Sequence, residues 1–387
     1  MTAHRVLMFC PQFRPLIGGA ERQAEKLAVA LAEAGCVVTI VTPRIHPHSP
    51  DVEEVQGVRI ERFAMSDLSR SWRVPGIALI NLPFMLWQVI RAVSPRVRQA
   101  DVLHAHLASL QTLGAVVAAR LAGKPALCKA AMADRRSDLG ELEKQGPAGR
   151  LVASLIRRTL RCWVATTGAV AQALINAGVK PGRIVQIPNG IGATTKEFDR
   201  SAPVRRFLYL GRLSTNIQRD VPSLVRAFEA LAQELPDAEL ALVGGGDLLE
   251  ATRSLALACR SAQRIQIPGF DASERWLQWA DCFVLPSRRE GMSNALLEAM
   301  EAGLPCIAND IPPNREMLAD GAAGVLVPVG EADQLLVAMR RVATDAAHAE
   351  FLRTAARLRV TEHYTIEAVA GSYQRLYRYL IDGCPPS

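Results

Sequence analysis

Cys282-Phe283-Val284-Leu285-Pro286-Ser287-Arg288-Arg289-Glu290-Gly291-Met292-Ser293-Asn294-Ala295-Leu296-Leu297-Glu298-Ala299-Met300 is the stretch from which the fold can be read. Its first four residues are a short apolar run stopped by Pro286, which predicts a buried strand. Ser293 is a natural N-cap and predicts a helix starting there. Glu290 falls in the turn between them. Glu298 lies about a turn and a half into the helix, too deep to act as a partner for the helix dipole. Carboxylates accept paired hydrogen bonds from vicinal hydroxyls. Two glutamates bracketing a helix N-terminus can therefore grip two diols, a ribose and a sugar, with a phosphate between them.

Outward from this unit the same alternation recurs. Short apolar runs at 207–210, 240–243, 264–267, 306–308 and 324–327 are separated mostly by helical stretches. An earlier series reads at 5–9, 37–42, 101–104, 126–129, 162–166 and 184–187, with helical spacing at 20–34, 110–121 and 151–160. Repeated βα units predict parallel sheets with helices on both faces. Residues 189–203 lack apolar periodicity and read as the linker. The expected plan is two doubly wound domains, the first 1–195 and the second from 196 onward. In such sheets ligands sit at the carboxyl ends of strands, and two facing domains would place those ends across one cleft.

The chain has 387 residues and is 49% hydrophobic, which excludes a disordered chain and suits two domains. Its eight cysteines form no CxxC pair or zinc-like spacing, so they read as reduced thiols in a cytosolic protein. No secretory signal reads at the N-terminus, where only a short apolar run precedes a proline. Residues 1–190 carry 24 basic against 13 acidic side chains, and the remainder 21 against 25. A basic first half implies an anionic partner there: phosphate, an acidic glycan or an anionic membrane surface. Residues 77–93 are the most apolar segment, interrupted by Asn81, Pro83 and Gln88 and flanked by Arg70, Arg73, Arg91, Arg96 and Arg98. That pattern fits a packed domain helix, or a helix resting one face in a bilayer surface, rather than a membrane span.

Further residues could carry chemistry. Gly18-Gly19-Ala20-Glu21 opens a helix after the first strand and reads either as a phosphate-binding turn or as a plain tight turn. Arg212 follows the strand at 207–210 and Arg219 precedes the next helix, so the two can hold a diphosphate, or stand in a solvated loop. His104 and His106 share one side of a strand. They read as a metal pair, though no third ligand is suggested, or as two ordinary hydrogen-bonded histidines. Neither the first βα turn nor Gly244-Gly245-Gly246 completes a dinucleotide fingerprint, which argues against NAD-dependent oxidoreduction.

Taken in order, these blocks resemble the retaining glycosyltransferases of family 4, which have the GT-B architecture. The resemblance is carried by Gly18-Gly19-Ala20-Glu21, His104-Ala105-His106, Ile187-Pro188-Asn189-Gly190 and Gly211-Arg212-Leu213. It continues through Glu290-Gly291, Glu298-Ala299-Met300, Gly303-Leu304-Pro305 and Gly324-Val325-Leu326-Val327-Pro328. It implies an α/β fold of two facing Rossmann-like doubly wound parallel-sheet domains, 1–195 and 196–363, with a C-terminal helix, 364–387, returning to the first. It also implies a hexosyltransferase moving a sugar from a nucleotide-diphosphate donor, expected to be UDP-linked. The basic first half and the apolar segment 77–93 point to a lipid-linked or polysaccharide acceptor in cell-envelope glycan synthesis. The expected location is the cytoplasm, at the inner face of the cytoplasmic membrane in contact with anionic lipid. No metal, no other cofactor and no nucleic acid are expected.

The resemblance also implies roles. The catalytic set would be His106, Glu290, Arg212 and Arg219, with the two arginines on the donor diphosphate and Glu290 orienting the transferred sugar. Glu298 would bind the ribose, the amides near Gly291 and Met292 the sugar, and Leu297 falls in the same donor set. Gly18 and Gly19 would lie against the diphosphate, Gly269 and Phe270 against the nucleobase, and His106 near the donor sugar. The acceptor would attack from the face the leaving group departs from, and the departing phosphate would take its proton. The family usually has lysine five residues after the arginine, whereas here Arg219 matches, with two residues inserted. Gly192 stands where aspartate is usual, and 129–138 is glycine-free where relatives carry a glycine-rich loop on the acceptor side. The terminal stretch 364–381 would bury Leu376, Tyr377 and Leu380. Rival readings are a nucleotide-sugar epimerase of the same plan and a non-catalytic nucleotide-sugar-binding protein; a phosphorylase lacks an evident cofactor lysine.

Overall fold

A computed structural model describes residues 3–15, 18–67, 77–133, 138–193, 203–215 and 219–383, with the side chains of 77–80 excepted. Arg70, Arg73, residues 134–137 and most of the expected linker lie outside the described residues. The chain divides into two compact units, 1–190 with 366–387 and 191–365. From sequence the divisions were expected after 195 and 363.

Unit 1 holds strands β1 (Arg5–Phe9), β2 (Val37–Pro43), β3 (Val52–Val55), β4 (Val58–Phe63), β5 (Val102–His106), β6 (Ala126–Ala130), β7 (Cys162–Ala165) and β8 (Ile184–Gln186). They form one sheet in the order β3-β4-β2-β1-β5-β6-β7-β8. Its pairings are parallel except at the β3–β4 edge hairpin. Every residue of β5, β6 and β7 is buried, as in a sheet covered on both faces. The helices are α1 (Gly19–Glu33), α2 (Ile77–Gln99), α3 (Leu110–Leu121), α4 (Asp138–Lys144), α5 (Gly146–Thr159) and α6 (Gly168–Asn176).

The β3–β4 hairpin was not expected. It turns at Gln56 and Gly57, whose φ angles of 49° and 77° are both positive, as a two-residue turn matched to strand twist requires. Helix α2 contains the apolar segment 77–93. It buries Val89, Val93 and Val97, one per turn, and packs on α3 at Gly114. A Cβ at Gly114 would stand 2.9 Å from that of Val89, so the glycine sets how closely the two helices approach. Among the described residues no helix is long and apolar enough to cross a membrane.

Unit 2 holds β9 (Arg206–Leu210), β10 (Glu239–Val243), β11 (Ile265–Gly269), β12 (Cys282–Leu285), β13 (Cys306–Asn309) and β14 (Val325–Val327). The sheet is parallel, in the order β11-β10-β9-β12-β13-β14. Its helices are α7 (Val221–Glu234), α8 (Leu249–Leu257), α9 (Ser273–Trp279), α10 (Asn294–Glu301), α11 (Pro312–Met317), α12 (Ala332–Thr344) and α13 (Ala346–His363). The last helix, α14 (Ile366–Asp382), belongs to unit 1. It buries Tyr373, Leu376 and Tyr377, with Leu380 partly buried, against the sheet face that α1 also covers. Gln374 Nε2 donates to Ala34 O at 2.9 Å, beyond the end of α1.

Candidate active site

In unit 2 the strand order reverses between β9 and β12, from which the sheet grows outward on either side. Loops leaving the carboxyl ends of strands at such a point splay apart and leave a crevice suited to a ligand. Here the β9 loop carries Arg212 and the β12 loop carries Glu290. The two are tied together before any side chain acts: Asp220 N donates to Pro286 O at 2.7 Å, and Arg219 and Ser287 form an isolated β-bridge. Asp220 also accepts from Arg288 Nη2 at 2.7 Å and from Ser223 N at 3.3 Å, the latter capping α7.

Arg219 is nearly buried. Its Nη1 donates to Ser287 Oγ and pairs with Glu290 Oε1, each at 2.6 Å, while Ser287 Oγ donates to the same carboxylate oxygen at 2.9 Å. Burial works against the guanidinium charge, but the charge of Glu290, helped by Tyr209 and the hydrogen bond to Glu290, leaves its pKa raised. Its Nε is buried without a partner among the described residues. From sequence these residues were expected to serve separate ligand groups; the structure pairs them with each other. A desolvated guanidinium needs a counter-charge, and Glu290 supplies it.

Arg212 is exposed and makes no ion pair among the described residues. Its backbone is held by Tyr209, fully buried, whose hydroxyl donates to Arg212 O at 3.2 Å. Burial pushes that hydroxyl up to about 12, so it remains a neutral donor. The Gly244-Gly245-Gly246 turn lies directly against this loop. A Cβ on Gly244 would sit 1.8 Å from Gly211 O, and one on Gly246 2.0 Å from Leu213 O. Leu213 N donates to Gly245 O at 2.9 Å. These glycines permit a close approach of two backbones, a role unrelated to a dinucleotide fingerprint.

Ser293 caps α10 as expected, its Oγ accepting from Leu296 N at 3.4 Å. Glu298 is half-buried in the second turn of α10, and Gly291 and Met292 are buried just before the cap. Leu297 is fully buried in the hydrophobic core of unit 2, and its amide donates to Ser293 O. Neither its side chain nor its amide is available to a donor. Gly269 ends β11 at φ 86°, its carbonyl accepting from Gly244 N at 2.8 Å. Phe270 follows, 74% exposed, beside Gly245.

In unit 1 the corresponding reversal lies between β1 and β5. Gly18 is the N-cap of α1, and its amide donates to Glu21 Oε2 at 2.9 Å in a capping box. The Glu21 carboxylate thus takes an amide that a phosphate could have used. Gly19, the first residue of α1, is exposed.

His104 and His106 stack with ring centroids 4.5 Å apart. His104 Nδ1 is bonded to Tyr377 Oη of α14 at 2.7 Å, and its ring stacks on Tyr373. His106 is 5% exposed and its Nε2 is buried without a partner among the described residues. Burial, then the charge of Lys129, holds His106 down to about 3; burial, His106 and Lys129 hold His104 well below the usual imidazole range. Both rings are neutral near pH 7. Among the described residues no group of three His, Cys, Asp or Glu could hold a metal ion.

Each unit is a Rossmann-like α/β layer, and the pair defines the GT-B architecture. A "Glycosyl transferase 4-like domain" matches residues 18–190 and "Glycosyl transferases group 1" matches residues 204–345. The chain belongs to the group 1 glycosyltransferases and is a hexosyltransferase. It is 28% identical to glycogen synthase of Mycobacterium tuberculosis (strain ATCC 25618 / H37Rv), over 96% of this chain and 94% of that one. It is 26% identical to GDP-mannose:cellobiosyl-diphosphopolyprenol alpha-mannosyltransferase of Xanthomonas campestris, over 95% of each. Its fold is that of Anabaena HepE, solved in complex with UDP, with a TM-score of 0.74 at 18% identity, covering 96% of this chain and 99% of that one.

Proposed function

We propose that the enzyme transfers a sugar with retention from a UDP-sugar to a lipid-linked or polysaccharide acceptor in cell-envelope glycan synthesis. The observation that carries this reading is the pairing of loops at the β9/β12 reversal. They bring Arg219 and Glu290 into contact just before the capped N-terminus of α10, whose second turn carries Glu298, and set the backbone of Gly211, next to Arg212, against Arg219. A diphosphate entering there meets an unpaired guanidinium and the positive end of a helix, both suited to charge that grows as the leaving group departs. Glu298 accepts the ribose hydroxyls and Phe270 stacks on the base. Glu290 gives up part of its hold on Arg219 and orients the sugar, while the departing phosphate takes the acceptor's proton.

The nucleotide is read as UDP because a full-length structural neighbour was solved with it. The acceptor class follows the polyprenol-linked substrate named for the Xanthomonas relative. Nothing in the comparisons supports the epimerase alternative. We place the enzyme at the inner face of the cytoplasmic membrane. Trp87, 52% exposed, and Arg91, lying 5.4 Å over its ring, offer an apolar and cationic contact for anionic lipid.

Thermal-shift screening against nucleotide sugars tests the donor: a UDP-sugar should raise Tm in the wild type. Arg212→Ala and Glu298→Ala should abolish transfer with the fold intact. Near-normal turnover in both variants removes the site assignment. We also propose that no metal takes part, so a chelator should leave turnover unchanged. Equal binding to neutral and anionic liposomes would remove the membrane contact.

A further inference from the structure

Lys129 lies in the middle of a buried sheet. It sits on β6 with His106 of β5 as its Cα partner on one side and Val164 of β7 on the other. Register partners in a sheet point to the same face. Lys129 therefore shares the face of His104 and His106, the one covered by α14. It is 6% exposed, and no carboxylate pairs with it among the described residues. Burial alone pulls its pKa down to about 8, so at neutral pH it is still mostly charged.

A buried ammonium without a counter-ion is costly, and chains rarely keep one at random. Asp138, the first acid after it among the described residues, is engaged elsewhere. Asp138 Oδ2 accepts from Ala108 N at 3.3 Å and Ala131 N at 3.4 Å, pinning the loops that follow β5 and β6. Beside Lys129, His106 Nε2 is buried, unpartnered and on the same face. The pair stands at the carboxyl ends of adjacent strands, where sheets of this kind receive ligands. An ammonium and an imidazole able to donate from Nε2 suit an oxyanion.

We propose that Lys129, with His106 beside it, binds an oxyanion, phosphate or carboxylate, carried by the acceptor. The acceptor assignment rests on the proposed function above; the oxyanion site does not. The sequence contains six lysines, so a ¹³Cε-lysine NMR spectrum of the full chain has few signals, and Lys129→Arg assigns the one of interest. The pH titration of that signal is followed alone and with inorganic pyrophosphate, glucuronate, glucose or UDP. The titratable groups on that face are His104 and His106 of β5, Cys162 of β7, and Tyr373 and Tyr377 of α14; burial holds the histidines below 8 and pushes the thiol and both phenols up, so all are neutral at the pH of its titration.

The signal is expected to titrate near 8 alone, at higher pH with an oxyanion, and unchanged with glucose. Movement with pyrophosphate alone assigns a phosphate-bearing acceptor; movement with glucuronate alone assigns an acidic sugar. A shift given only by UDP assigns the ammonium to the donor and overturns the acceptor reading. No shift with any anion, in a protein whose transfer is still abolished by Glu298→Ala, overturns the proposal and leaves the glycosyltransferase site standing. Lys129→Met should raise Tm, whereas Lys180→Met at an exposed position should change neither Tm nor the anion response of the Lys129 signal; a lower Tm in Lys129→Met would mean the fold itself satisfies the charge and overturns the proposal.

Discussion

The Arg219–Glu290 pair joins the β9 and β12 loops of unit 2 through two buried charges. With side-chain exposures of 12% and 10%, both partners are largely desolvated. Removing one charge leaves the other uncompensated, so Glu290→Gln should cost about 3–5 kcal/mol of stability. A bound diphosphate would supply the missing anion. Thermal denaturation with and without UDP should therefore show UDP restoring more stability to Glu290→Gln than it adds to the wild type. A deficit unchanged by UDP would separate Arg219 from the phosphate. The two buried histidines make a pH prediction. Their folded pKa lies below the unfolded value near 6.5, so the unfolded chain binds more protons in acid. Their effect is absent above about pH 6.5 and destabilises progressively below it. Asp138, pushed up to about 6 by burial, acts in the opposite direction between about pH 4 and 6, and two histidines outweigh one aspartate. Urea unfolding at pH 7 and pH 5 should show a loss in acid that His106→Phe reduces. The cap at Ser293 was legible because its partner, the amide of Leu296, lies three residues away in sequence. The partners of Arg219 and Lys129 were not, since both depend on register and loop closure between distant segments.

At the level of elements, the strands other than β3 and β4 were legible to within a residue or two because they are continuous apolar runs. The β3–β4 hairpin escaped because Glu53, Glu54, Arg59, Glu61 and Arg62 break any such run, leaving only the Gln56-Gly57 turn as a signal. The triple glycine after β10 was noticed only as an incomplete fingerprint, yet the structure gives it a steric task. Gly244→Ala should push the β9 loop away and weaken donor binding together with stability. Gly245→Ala, whose Cβ would meet only Phe270 at an ordinary 3.7 Å, should be tolerated. UDP titration of the two variants distinguishes them, and equal affinity in both would show that the approach of the two loops does not position Arg212.

Across the whole molecule, the division into two units was legible from the restart of the strand series, and the return of the last helix came from the family resemblance. What the sequence did not disclose is how deeply that helix enters the polar interior of unit 1: Tyr373, never singled out, is fully buried against His104. Deleting residues 366–387 should strip hydrogen-exchange protection from β1, β5, β6 and β7 while leaving β9 to β14 protected. Equal protection in both sheets would mean that α14 is dispensable. The arrangement also bears on biosynthesis. The sheet that leaves the ribosome first keeps part of one face, the part beyond α1, uncovered until α14 emerges, so unit 2 can be complete while unit 1 is still waiting. A nascent chain stalled near residue 365 would be the species most in need of a chaperone.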